Sequence, residues 1–113
     1  MSSAMVTELA EIDVKPGHEA HFEAAVSQAA RFFLRSKGCI SLKLHRSLEQ
    51  PTRYRMIVHW ETLDDHMVEF RNSDAFVQWR RLASPHFAGI PRIEHLVVAV
   101  EGADLLDEAS QGA

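Results

Sequence analysis

The sequence predicts an α+β fold of the ferredoxin-like kind, βαββαβ, with one four-stranded antiparallel sheet. Three observations predict it. Four short stretches are strand-like, alternating apolar and polar residues or rich in β-branched ones. Two stretches repeat apolar residues at three- and four-residue steps, the mark of amphipathic helices. Glycine, proline and small polar residues fall between these stretches, where the chain must turn.

The first strand is expected over Met5 to Val14. Val6, Ala10 and Ile12 fall on one face and Thr7, Glu11 and Asp13 on the other. Glu8 and Leu9 break this alternation, which implies that both faces are partly covered. Pro16-Gly17 ends the strand. A helix follows from about His18 to Lys37, with Phe22, Ala25, Val26, Ala29 and Phe33 as its apolar stripe. Arg35 and Lys37 suit the negative end of the helix dipole, and Gly38 is the expected C′ residue.

The second strand is expected over Cys39 to Ser47, with Ile40, Leu42 and Leu44 facing one way. A polar loop, Leu48 to Thr52, leads into a third strand over Arg53 to Glu61. Tyr54, Met56, Val58 and Trp60 share one of its faces. Pairing Ser47 with Arg53 puts the two apolar rows on the same face. It also places Ile40 near Trp60, His45 near Arg55 and His59 opposite Ser41. Thr62 with Asp65 reads as a capping pair opening a short helix, with Leu63, Met67 and Phe70 inward. Asn72-Ser73-Asp74 interrupts that helix and caps a second piece carrying Phe76, Trp79 and Ala83. Pro85 stops it, and a loop through His86 and Phe87 to Pro91 leads to a last strand over Arg92 to Val100.

These elements make one domain over residues 5–101, with a frayed start at 1–4 and an acidic tail at 102–113. The whole chain has 113 residues, 46% hydrophobic and 25% charged. A domain this small buries roughly two-thirds of its unfolded-chain surface. A net charge of −4 argues against nucleic acid, whose phosphates call for a basic face. No apolar run approaches the ~20 residues needed to span a bilayer, and no signal peptide is visible. The single cysteine, Cys39, cannot pair internally and suits a reducing cytoplasm. Helices on one side only leave the other sheet face bare, with Leu9, Ile57 and a row of the last strand on it. A second copy of the chain is the expected cover.

Several segments carry a family resemblance. They are Val14-Lys15-Pro16-Gly17 with Phe22, Gly38-Cys39, Leu44-His45-Arg46-Ser47-Leu48-Glu49 with Pro51, Trp60-Glu61-Thr62, and Ser73-Asp74-Ala75-Phe76. In order and spacing, over roughly residues 6–100, they resemble the antibiotic-biosynthesis-monooxygenase family. That resemblance implies a homodimer of the dimeric α/β barrel type, with a pocket in each subunit. It also implies oxygenation of a small aromatic or quinone-type compound with no metal, flavin or haem, the deprotonated substrate itself reducing O₂. Haem-degrading relatives carry an Asn, a Trp and a His where this chain has, approximately, Ala10, Glu69 and Arg80, which sets haem degradation aside. His66 falls one turn before the family's common helix His, with an apparent one-residue insertion before Ser73.

His59 and His66 are the candidate bases, because an imidazole in a semi-apolar pocket titrates near neutrality. For His59 the alternative is an interface residue bonded to a carboxylate. Trp60, Phe70, Phe76, Trp79, His86 and Phe87 are candidates for an aromatic cavity, or else for plain core. Tyr54 or an arginine would steady an oxyanion. Arg46, Arg53 and Arg55 would hold an anionic group or pair with Glu49 or Glu61. No metal-ligand motif, phosphate loop or nucleotide fingerprint appears. The alternatives to an oxygenase are a non-catalytic small-molecule-binding dimer, or an isomerase working by proton transfer.

Overall fold

A computed structural model describes residues 5–104. The strands are β1 (Val6–Asp13), β2 (Cys39–Arg46), β3 (Arg53–Trp60) and β4 (Arg92–Leu96), and the helices are α1 (Glu19–Leu34) and α2 (Asp74–Ala83). A π-helical turn, Asp65–Phe70, precedes α2, and a 3₁₀ turn, Ser84–His86, follows it. The sheet order is β2-β3-β1-β4, every neighbouring pair antiparallel. This is the expected ferredoxin-like α+β sheet.

The core forms between one sheet face and the helices. Ala10 and Ile12 of β1 meet Tyr54, Met56, Val58 and Trp60 of β3 there, and the predicted α1 stripe packs down on them. The registers Ser41↔His59 and His45↔Arg55 are as the alternation predicts.

Five local expectations are corrected, each for a physical reason. The last strand ends at Leu96, not Val100, because Leu96 pairs with Thr7 and β1 begins only one residue beyond, at Val6. Val97, Val98 and Val100 lie exposed outside the sheet. Ile40 is not against Trp60: a bulge lets Cys39 pair with Trp60 and Ser41 with His59, so Ile40 is the extra, exposed residue. α1 stops at Leu34, short of Lys37. Ser36 donates its hydroxyl to the Phe32 carbonyl (2.7 Å) and its amide to the Phe33 carbonyl (2.9 Å), tightening the chain out of the helix.

The fourth correction matters most for the site. Leu63 and Met67 are exposed, while Asp65, His66 and Phe70 are buried. The Arg71 amide donates to the His66 carbonyl five residues back, at 3.2 Å. A π turn takes up an extra residue, so an α-helical wheel assigns its inward face wrongly. Thr62 does accept the Asp65 amide at 3.0 Å, as the capping pair predicts.

Gly38 sits not at C′ but in the turn into β2, with φ of +78°. A β-carbon there would overlap the buried Asp65 carboxylate. Gly38→Ala should therefore lower stability by about 2 kcal/mol or more, read from urea unfolding; an unchanged midpoint would contradict the close approach.

Candidate active site

Strand alternation places Glu8 on the same face as Ala10 and Ile12, directed into the core. It lies opposite Val58 of β3 and His95 of β4. Only 3% of Glu8 is exposed. Its carboxylate accepts the Trp60 indole N–H at 3.0 Å and lies 3.3 Å from His66 Nε2. His66, also 3% exposed, is turned inward by the π turn and stacks on Trp60 with centroids 5.3 Å apart. Its Nδ1 lies 2.8 Å from His95 Nε2. β1, β3, the π turn and β4 thus each contribute one member of a chain Trp60–Glu8–His66–His95.

Burial sets the charges. It raises the Glu8 carboxyl from its ordinary 4.5 to about 7, against the opposing pull of the Trp60 bond and the Arg71 charge. It lowers His66 to about 4, helped by His95 and Arg71. His95 is lowered as well, chiefly by burial. The Glu8–His66 contact is therefore a neutral acid beside a neutral imidazole over the weakly acidic range, rather than an ion pair. With Glu8 protonated, its O–H points to His66 Nε2, and His66 donates from Nδ1 to His95. With Glu8 ionised, both bonds reverse: His66 Nε2–H points to the carboxylate and His95 donates to Nδ1. The row of bonds can run in either of two directions, which differ by one proton.

Glu8 and His66 line a cavity of about 360 Å³. Ala10, Ile12 and Met56 supply its sheet wall, Phe76 and Trp79 of α2 another, and Phe87, Gly89, Ile90 and Pro91 border it from the loop before β4. Arg71 and Arg80 line it as well, with Ser84 and Ile93. The site is a mostly apolar chamber with one titratable pair at one end, a setting that suits proton transfer on a bound small molecule.

The sequence candidates separate here. His66, Phe76, Trp79 and Phe87 line the cavity. Trp60 stands behind His66 and orients Glu8. Phe70 packs against Phe33 (4.6 Å) and Trp60 (5.3 Å) as core. Tyr54 donates its hydroxyl to Glu23 at 2.6 Å, and burial with that bond pushes its phenol well above the usual range. Its proton is committed away from the cavity. His86 leaves the aromatic wall and pairs with His18, Nδ1 to Nδ1, at 3.1 Å. His59 alternates with Trp60 and so lies on the opposite sheet face from the cavity; its Nδ1 is buried with no hydrogen-bond partner among the described residues. Arg46 pairs with Glu23, Arg53 with Asp13 and Glu11, and Arg55 with Glu11, not with Glu49 or Glu61. Among the described residues no group of three or more His, Cys, Asp or Glu is placed to hold a metal ion.

Glu8 and His95 were not among the sequence candidates. The signal for Glu8 was present: an acid that interrupts an apolar row is either a register break or a buried functional group.

A ferredoxin-like sheet with helices on one face and an acid–imidazole pair in an apolar chamber defines a class of small α+β domains with a site between sheet and helices. Within that class, the chain belongs to the antibiotic biosynthesis monooxygenase family, whose model matches residues 5–82. It is 37% identical over 91 residues to the uncharacterized protein YczJ of Bacillus subtilis (strain 168), covering 80% of this chain and 96% of that one. A Bordetella bronchiseptica protein assigned to the antibiotic biosynthesis monooxygenases superposes with a TM-score of 0.84 at 47% identity, covering 87% of this chain and all (100%) of that one. SnoaB, a cofactor-independent oxygenase from Streptomyces nogalater, shares the fold, with a TM-score of 0.73 at 19% identity over 88% of this chain and 97% of that one. No helix among the described residues is long and apolar enough to cross a membrane.

The buried pair makes stability depend on pH in a defined sense. Glu8 is raised on folding from 4.5 to about 7, so its stabilising share is whole below 4.5 and lost as pH climbs through 7. His66 is lowered from 6.5 to about 4, so its share is whole above 6.5 and lost as pH falls toward 4. Glu8→Gln keeps the Trp60 bond and removes only the first effect. Relative to the parent, that variant should gain about 2–3 kcal/mol between about pH 5 and pH 8, measured by urea unfolding at fixed ionic strength. A difference that does not vary with pH would put the carboxylate in water.

Proposed function

We propose that the protein is a cofactor-independent monooxygenase that oxidises a small aromatic or quinone-type compound with O₂, using no metal, flavin or haem. The observation that carries this reading is a buried carboxyl titrating near pH 7 inside an apolar cavity, on the fold of this family. A base poised near the working pH combines enough of the ionised form with enough driving force for proton transfer. Glu8 is the base. His66 touches both Glu8 and the cavity, and with His95 it carries the proton toward the exposed β4 edge.

The reaction starts at an acidic C–H of the substrate, next to a carbonyl or phenol. Glu8 takes the proton, leaving an electron-rich carbanion spread over the ring system. One electron passes to O₂; the radical and superoxide combine to a C–O bond, and a returning proton gives the hydroperoxide. Loss of water then leaves a carbonyl, so CH₂ plus O₂ becomes C=O plus H₂O. The four electrons come from the substrate, and one oxygen atom ends in the product. Phe76, Trp79 and Phe87 hold the flat ring system.

The working unit in this proposal is a cytoplasmic homodimer. Leu9, Ile57 and Leu96 on the outer face, and the exposed Val97 and Val98 beyond it, supply apolar surface for a second copy. Sedimentation at micromolar concentration should find two subunits.

Oxygen uptake with anthrones and naphthohydroquinones, in buffer stripped of metals by chelator, should show one O₂ consumed per turnover without peroxide build-up. Glu8→Gln should reduce kcat by roughly 100-fold or more, and kcat/KM should rise with pH to a plateau above about 7. The same acid–imidazole relay would serve a proton-transfer isomerase. Solvent deuterium entering a substrate that consumes no O₂ would favour that reading instead.

A further inference from the structure

We propose that Arg71 and Arg80 form an anion clamp on the cavity, so that the substrate is an aromatic compound bearing a carboxylate or an equally acidic substituent. This rests on reading the cavity as the substrate site.

The arginines differ in the partners they find. Arg46, Arg53, Arg55 and Arg92 each pair with carboxylates of Glu11, Asp13 or Glu23. Arg31, Arg35, Arg71, Arg80 and Arg81 have no carboxylate within salt-bridge distance among the described residues, and of these only Arg71 and Arg80 line the cavity. Arg71 reaches only the Met67 sulfur, at 3.7 Å, and the Phe76 ring, at 5.6 Å. Arg80 lies over the same ring, at 5.9 Å.

Both guanidinium groups lie near the Phe76 ring, at 5.6 and 5.9 Å from its centroid, and that ring supplies only a weak quadrupole to hold them. Glu8, the acid on the cavity, is largely neutral below pH 7. The chamber therefore has an unbalanced positive side. A planar carboxylate matches the guanidinium fork and would neutralise it.

The walls of the cavity differ in what they offer a ligand. The apolar wall from the sheet and Trp79 takes the ring system, the Glu8–His66 pair addresses the reacting carbon, and the two arginines fix one end of the molecule. A cavity of about 360 Å³ has room for two fused rings and a substituent. Arg71 also acts on the base, since its charge opposes the rise of the Glu8 pKa.

Two probes separate the clamp from simple apolar binding: 1-hydroxy-2-naphthoate and 1-naphthol, which differ by one carboxylate. Titration calorimetry at low ionic strength should show the naphthoate binding at least tenfold tighter. Arg71→Gln with Arg80→Gln should erase that preference and leave 1-naphthol within about twofold. Arg81→Gln should leave the preference unchanged, because Arg81 bonds to Gln78 and does not line the cavity. All three side chains are exposed, so an unchanged melting temperature will certify folding. In turnover, Arg71→Gln should move the rise of kcat/KM to higher pH, which a purely structural arginine would not do. Equal binding of the two probes, or a tenfold preference that survives the double substitution, would overturn the clamp. Failure of both probes to bind would overturn the clamp and the cavity reading together. A clear carboxylate preference with no O₂ uptake from any acidic quinol would uphold the clamp and sink the oxygenase reading alone.

Discussion

The site depends on one carboxyl group placed where a hydrophobic residue would otherwise stand. Glu8 occupies the helix-facing row of a central strand, and an ionised acid there would cost several kcal/mol without compensation. The surroundings do not supply a full countercharge. They supply one indole N–H, one imidazole and a distant guanidinium. The group answers by holding its proton to near neutrality, which turns a structural cost into chemical readiness. An acid in water near pH 4 would be too weak a base for a C–H.

The π turn is the second requirement. An α-helical path through residues 65–70 follows the periodicity that points Met67 inward. The wider turn instead points His66 onto Trp60 and within reach of Glu8 and His95. One extra residue in the helix thus decides whether the acid on β1 has an imidazole beside it. Gly38 belongs to the same arrangement, because its bare α-carbon gives the Asp65 carboxylate room at the start of that turn.

Most of the fold was legible in the sequence because its cause is periodic. The row Tyr54, Met56, Val58, Trp60 and the stripe Phe22 to Phe33 each follow one period without interruption, and both are buried as read. What was not legible came from breaks in period. The bulge at Ile40 shifts a strand by one residue, and the π turn shifts a helix by one. Neither leaves a mark that a regular template can register. The site was half legible for the same reason. His66, Phe76 and Trp79 carry chemistry or aromatic surface in their residue type. Glu8 and His95 gain their meaning only from cross-strand pairing and from the imidazole that stands between them. His59 lost its candidacy through alternation with Trp60, the simplest rule of a strand.

The position of β1 within the sheet has a consequence of its own. β1 is laddered to β3 on one side and to β4 on the other, so the main chain of Glu8 is pinned from both edges. Neither flank is free to yield and let the side chain swing out to water. The acid is therefore preorganised: the entropy of holding it in place is spent when the chain folds, and little rearrangement is left for the moment a substrate arrives.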